Sequence, residues 1–265
     1  MASVMEGEIK YAALTELGLS LQGQAQGASG LAQLIVSQAI HPDVFISVTP
    51  GPMQTVLDAG MAAKAVPVAR TEMVIAYSPS SSFAPRFEAA KSNSSWWQIL
   101  EEPSLRFGRT DPVTDPQGRN IIFVIQLAAR RYKQPDLARR ILGPDINPRQ
   151  IFTEPTVQAR LQSGQLDAAS AYKIQPPPFH LPYLTLPAEI NLGSSTADYS
   201  AATLNLNGKT YHPEPLVYYA AALKKASDPP SAARFVAWLC TGAAQHILAR
   251  AYYDPPGDFH AMGAT

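Results

Sequence analysis

Short apolar runs closed off by proline, set between stretches of helical period, constrain this fold more than any other feature of the sequence. Proline fixes φ and carries no backbone N–H. The 24 prolines here fall mostly between hydrophobic runs, and so keep each element short. Asp43-Val44-Phe45-Ile46-Ser47-Val48 follows Pro42 and reads as a buried strand, as does Met73-Val74-Ile75-Ala76-Tyr77. Residues 53–59 between them read as helix. Further strands are expected at 19–23, where apolar and polar residues alternate, and at 105–108, 168–172 and 216–223. Helices are expected over 3–17 with Gly18 as the stop, and over 31–38, 96–100, 119–132, 156–163 and 231–251. A polar, serine-rich segment spans 78–95, and 175–178 reads as a polyproline connection. Strands that alternate with helices across short connections predict α/β layers around a largely parallel sheet.

Composition narrows what such layers could bind. The 265 residues suffice for one large domain or two small lobes. Lys plus Arg number 21 and Asp plus Glu number 21, so no net field draws the chain to nucleic acid or anionic lipid. A ligand must be selected locally, by a few placed groups. No stretch approaches the roughly 20 apolar residues of a membrane span. Met1-Ala2-Ser3-Val4-Met5-Glu6 has neither a charged n-region nor an apolar h-region, so no secretion signal is expected within this sequence. Cys240 is the single cysteine, which excludes an intrachain disulfide. It ends the apolar run Phe235-Val236-Ala237-Trp238-Leu239 and is expected to be buried filler. The five histidines lack ligand-like spacing, and no nucleophile elbow, phosphate loop or dinucleotide fingerprint is present. No cofactor is expected.

Three places can carry ligand chemistry. Gly27-Ala28-Ser29-Gly30 turns into a helix, whose first N–H groups are unpaired and whose dipole end is positive; Ser29 adds a hydroxyl. That makes an anion cradle, or a serine that merely caps its own helix. Asp111-Pro112-Val113-Thr114-Asp115-Pro116-Gln117-Gly118 holds two carboxylates on a stiff loop, with Asp115 placed as N-cap and Pro116 as first helical residue. Glu154 stands just ahead of another helix, again a capping-type position. Trp96-Trp97 has no basic surroundings and reads as packing.

Taken in order, these segments resemble a known family. Gly27-Ala28-Ser29-Gly30-Leu31-Ala32 followed by Pro42-Asp43-Val44-Phe45-Ile46-Ser47 is similar to the signature of molybdate-type receptors. Val68 to Tyr77 looks like the strand that crosses into a second lobe. Gly108-Arg109-Thr110-Asp111-Pro112-Val113-Thr114-Asp115-Pro116-Gln117-Gly118 and Leu186-Pro187-Ala188-Glu189-Ile190-Asn191-Leu192-Gly193 resemble the tungstate/molybdate-binding branch of ABC-transporter receptors. The resemblance covers the chain from about Met5 to Pro256.

The resemblance implies an α/β, two-lobed, type II periplasmic-binding-protein fold with the ligand in a cleft between lobes. Lobe one would be 1–74 plus 215–265 and lobe two 75–214, joined by hinge strands near Tyr77 and Val217-Tyr218-Tyr219. It implies a monomeric, non-enzymatic solute-binding protein, periplasmic or extracytoplasmic, that delivers tungstate or molybdate to an ABC permease without entering the membrane. The implied ligand-binding residues are Ser29, Ala28, Asp115, Gly118, Glu154 and Tyr172. Asp115 and Glu154 would reach the Mo or W centre, with Asp111 as the alternative acid. The same acids could instead hold a metal cation, or the cleft another small anion. The resemblance also implies a strand with a serine turn ahead of the first helix, which this sequence lacks, and a longer 115–154 segment. A truncated homologue with lost binding therefore remains an alternative. Gln117 and Arg119 also depart from the family loop.

Overall fold

The computed structural model describes residues 1–91 and 95–263. In chain order the elements are α1 (Ala2–Val4), a π-wound turn (Met5–Ile9), α2 (Lys10–Leu17), α3 (Ala28–Val36), β1 (Val44–Val48), α4 (Pro50–Asp58), β2 (Lys64–Arg70) and β3 (Met73–Tyr77). There follow α5 (Ala84–Ala90), α6 (Trp96–Leu100), β4 (Phe107–Gly108), α7 (Pro116–Arg131), α8 (Leu137–Leu142), α9 (Glu154–Gln162), β5 (Ala168–Tyr172) and β6 (Tyr183–Thr185). The chain closes with β7 (Leu204–Leu206), β8 (Lys209–Tyr211), β9 (Val217–Ala222), α10 (Pro229–Leu239), α11 (Gly242–Arg250) and β10 (Met262–Gly263). Contacts divide these into two compact units, Met1–Thr71 with Glu214–Thr265, and Glu72–Pro213.

The first unit is built on a sheet in the order β1-β9-β2-β10, with every neighbouring pair antiparallel. The expected alternation runs from β1 through α4 to the strand at 73–77, but that strand, β3, belongs to the other unit's sheet. Here α4 is followed by β2, which the alternation does not single out, and β9 occupies the slot between β1 and β2. The largely parallel sheet expected from local alternation is therefore overturned by a strand more than 140 residues away in sequence. Phe45, Met53, Val56, Tyr219 and Ala221 pack the core on one face of this sheet. A bulge in β2 between Pro67 and Ala69 shifts the register against β9. Gln245 Nε2 donates to the carbonyl of Val68, the extra residue there, at 2.9 Å.

Gly18, at φ +70°, stops the first helix where expected. Gly7, at φ −96° and ψ −111°, kinks that helix upstream. Residues 19–23 form no strand despite their alternation: they are coil, partly or fully exposed, and pair with no neighbour. The C-terminal helix expected over 231–251 is two helices, because Thr241 is extended and begins a new one. Cys240 sits at that break, after the last helical turn, and is exposed rather than buried. Helical phase puts its side chain with the exposed Ala233 and Ala237, off the apolar stripe of Ala232, Phe235, Val236 and Leu239.

The second unit has a sheet in the order β4-β5-β3-β6 and a β7-β8 hairpin. Among the described strands, only β4 and β5 run parallel as neighbours. Helix α7 passes through this unit with Ile121, Ile122, Phe123, Val124 and Ile125 all buried. Five consecutive buried residues mean that it is covered on every side. A second layer, α9, packs Val157 and Leu161 against Ala76, Ala169 and Ala171. The polar, serine-rich segment 78–95 contains α5; residues 92–94 of it lie outside the described residues. Residues 175–178 lead into a 3-10 turn, Pro177–Phe179, rather than polyproline: Pro176 has φ −65° but ψ −40°, and proline fixes only the first of these angles. Trp96 is buried and, with Trp97, packs on Tyr132.

Candidate functional site

Asp115 is the N-cap of α7, and its Oδ1 accepts from the backbone N–H of Gln117 at 2.9 Å. The loop before it is fastened from within. Asp111 Oδ1 accepts from Val113 N at 2.9 Å, and the Asp111 carbonyl accepts from Asp115 N at 2.8 Å. Arg119 Nη1 donates to the Pro112 carbonyl at 2.9 Å, while its guanidinium lies 4.6 Å from the centre of the Tyr211 ring. Gly118 is buried against this loop: a Cβ there would meet the Thr110 carbonyl oxygen at 2.4 Å. Packing thus explains why glycine stands at 118.

Glu154 is the first residue of α9, exposed, at the helix end where a carboxylate is favoured. Gln175 Nε2 donates to Glu154 Oε1 at 2.8 Å and to Gln117 Oε1 at 2.9 Å. Gln117 Nε2 donates to the Ser170 carbonyl at 3.0 Å, and Gln175 Oε1 accepts from Tyr172 N at 2.7 Å. The two acids are therefore linked through a pair of glutamines to neighbouring positions of β5. A shallow depression, open to solvent, is lined here by Gln117, Glu154, Gln175 and the apolar side chains of α9.

Tyr172, at the end of β5, accepts from Asn120 Nδ2 at 3.1 Å, which leaves its own proton free to donate. Burial pushes this phenol well above its ordinary range, and the charges of Asp115 and Glu154 push it further. Asn120 and Arg119 oppose them and do not prevail. Both carboxylates thus lie within electrostatic reach of one tyrosine hydroxyl that stays protonated.

The second unit accordingly gathers Asp115, Glu154 and Tyr172, with Gly118 in the first turn of α7 and Asp111 in the adjoining loop. Ser29 and Ala28 belong to the first unit. Gly27, not Ser29, is the N-cap of α3, and no side chain caps that helix. Ser29 lies exposed within the first helical turn, so the reading of it as its own helix's cap is set aside. Gln117 was visible in the sequence only as a departure from a loop pattern, and Gln175 and Asn120 carried no signal. Among the described residues, no group of three or more His, Cys, Asp or Glu could hold a metal ion. A cation bound by Asp111, Asp115 and Glu154 together therefore finds no support in the geometry.

Similarity to known proteins decides the family. The model of the bacterial extracellular solute-binding proteins matches residues 7–254. The chain belongs to that family. This solute-binding protein is 29% identical over 221 residues to a putative ABC transporter molybdenum-binding protein of Haloferax volcanii, covering 81% of the chain and 69% of that relative. It is 30% identical over 217 residues to the molybdate/tungstate-binding protein WtpA of Pyrococcus abyssi, covering 72% of the chain and 62% of that relative. It thus spans about six to seven tenths of the length of these relatives. Among solved structures, the substrate binding domain of a putative molybdenum ABC transporter from Clostridium difficile superposes with a TM-score of 0.63 at 16% identity, covering 96% of this chain and 93% of that one. The solute-binding protein therefore has the α/β, type II periplasmic-binding fold. No described helix of it is long and apolar enough to cross a membrane.

Proposed function

We propose that this solute-binding protein captures a tetrahedral oxyanion, tungstate or molybdate, and hands it unchanged to an ABC permease outside the cytoplasm. The reading takes the two compact units as the lobes of such a receptor. One observation carries it: Asp115 and Glu154 are tied through Gln117 and Gln175, within electrostatic reach of the Tyr172 hydroxyl. The names of the relatives, molybdenum-binding and molybdate/tungstate-binding, point the same way.

Two carboxylates repel a dianion unless its central atom can take their oxygens. Mo(VI) and W(VI) are hard centres that accept oxygen ligands beyond their four oxo groups; sulfur and phosphorus in sulfate and phosphate do not. Asp115 and Glu154 are the acids assigned to that centre. Tyr172 would donate to an oxo oxygen, as would the Ser29 hydroxyl and the Ala28 amide at the start of α3. Gly118 takes part through its backbone alone. No step in this function makes or breaks a covalent bond of the protein, and the fold serves as a receptor rather than an enzyme.

Calorimetric titration with tungstate, molybdate and sulfate tests the reading. Tungstate and molybdate should bind far more tightly than sulfate. Near-equal affinities would remove the role given to the acids, and stabilisation in a thermal-shift screen by calcium or iron alone would replace the oxyanion with a cation.

A further inference from the structure

Strand β4 ends at Gly108, which pairs with Ala169 of β5. Beyond that point β5 has no strand neighbour on this side among the described residues, and a sheet edge left open must find its hydrogen-bond partners elsewhere. Two glutamine side chains supply them: Gln117 donates to Ser170 O at 3.0 Å, and Gln175 accepts from Tyr172 N at 2.7 Å. A carbonyl can only accept and a backbone N–H can only donate, so each backbone contact fixes which way its amide points. With Gln117 Nε2 on Ser170, its Oε1 is turned toward Gln175; with Gln175 Oε1 on Tyr172, its two N–H groups are turned outward. Those donors reach Gln117 Oε1 at 2.9 Å and Glu154 Oε1 at 2.8 Å. The polarity of the β5 edge is thereby passed through two amides to one named oxygen of Glu154. Gln117 is buried, at 2% exposure, and its own backbone N–H holds Asp115.

We infer that Gln117 and Gln175 are positioning residues that read the open edge of β5 and hold the Glu154 carboxylate in register with Asp115, which sets selectivity for ligands able to take carboxylate oxygens. The inference rests on the oxyanion reading above. A donor on Oε1 removes freedom from an exposed glutamate that would otherwise sample several rotamers, and it leaves Oε2 as the free ligand atom. Preorganisation of this kind strengthens binding by reducing what must be ordered when the ligand arrives.

The test is a double-mutant cycle on the full chain, read by tungstate titration, with melting temperature followed in every variant. Gln175→Leu keeps the volume and removes the donor. Gln175→Glu keeps an acceptor for Tyr172 N but sets a second carboxylate against Glu154. Both should weaken tungstate binding at least tenfold. In a Glu154→Gln background, titrated to millimolar tungstate, the same two changes should cost less than about twofold, because the carboxylate they position is gone. Equal losses in both backgrounds would make Gln175 a structural edge cap only and overturn the inference, while the oxyanion reading stands. Side-chain amide NMR of the ligand-free protein gives a second readout where Gln175→Leu unfolds the site. The Gln175 NH2 resonances should be protected from solvent exchange and should shift in Glu154→Ala; solvent-like exchange would overturn the inference. Failure of the unaltered chain to bind tungstate would remove the functional reading and the positioning role with it.

Discussion

Asp115 has two proposed duties, as a helix cap and as a ligand to an oxyanion, and three substitutions separate them. The cap is one hydrogen bond, from Gln117 N to Oδ1 at 2.9 Å, at the first turn of the 16-residue helix α7. Loss of an N-cap side chain costs about 1 kcal/mol, and loss of a carboxylate at a helix N-terminus adds about 0.5 kcal/mol. Asp115→Ala loses both, about 1.5 kcal/mol, which lowers the melting temperature by roughly 3–6 °C in a protein of this size. Asp115→Asn keeps a capping oxygen and loses only the charge, for a fall of roughly 1–2 °C. Asp115→Ser behaves as Asn does.

Binding sorts the same variants differently. Asn, Ser and Ala all lack the anionic oxygen that a Mo or W centre would take. A charge-assisted contact is worth about 1.5–3 kcal/mol, so each variant should bind tungstate roughly 10- to 100-fold more weakly. The assay is paired: differential scanning calorimetry without ligand, then tungstate titration at one temperature. The signature is affinity lost equally across the three variants while stability is lost chiefly in Asp115→Ala. If Asp115→Asn retains full affinity, Asp115 is a cap and nothing more, and the assignment of the acidic pair fails.

Other consequences follow from the same contacts. Gly118→Ala drives a Cβ to 2.4 Å from the Thr110 carbonyl, backbone against backbone, and should destabilise the chain by about 2–4 kcal/mol in urea unfolding. Asp167, nearly buried, accepts from Arg106 N, Nε and Nη2, and from Ser81 Oγ, all within 2.9 Å. Asp167→Asn cannot satisfy four donors and should cost about 2–4 kcal/mol in the same assay. Tyr77, buried and hydrogen-bonded to Glu88, has its phenol pushed up to about 12, first by burial and then by that carboxylate. A raised folded-state value favours the protonated form, so its contribution is whole below pH 10.0 and is lost as pH rises toward about 12. The loss is at most about 3 kcal/mol, and in Tyr77→Phe the fall of stability between pH 10 and 12 should be shallower by about one proton's worth.

The Asp115-Pro116 pair announced the start of α7 because cap and first-turn preferences act over two residues; apolar periodicity alone, which gave a helix over 119–132, put the start three residues late. Gly18 and Gly164, each at φ +70°, stopped their helices for an equally local reason. Strand neighbours were another matter. The apolar runs at β1 and β3 were plain, but no local pattern says that β9 will slide between β1 and β2. The alternation at 19–23 needed a neighbouring strand to become a strand itself, and none of the described strands pairs with it. In each failure a partner far along the chain decided the outcome.

The same logic explains why half of the candidate site was unreadable. Acids on stiff loops ahead of helices stand out in a sequence, since Asp111, Asp115 and Glu154 carry charge where the backbone has a use for it. A glutamine in a proline-rich turn does not, because most glutamines so placed face water. What distinguishes Gln175 is the end of β4 at Gly108, which leaves an edge of β5 without a strand. Gln175 stands 67 residues beyond Gly108, and the two come together only when α7, α8 and α9 have been laid between, so the end of β4 that gives Gln175 its purpose is nowhere in its own neighbourhood of the chain. Polar residues that complete a sheet edge and touch an acid at the same time are thus the ones that sequence patterns hide, and they are also the ones that fix where the acid points.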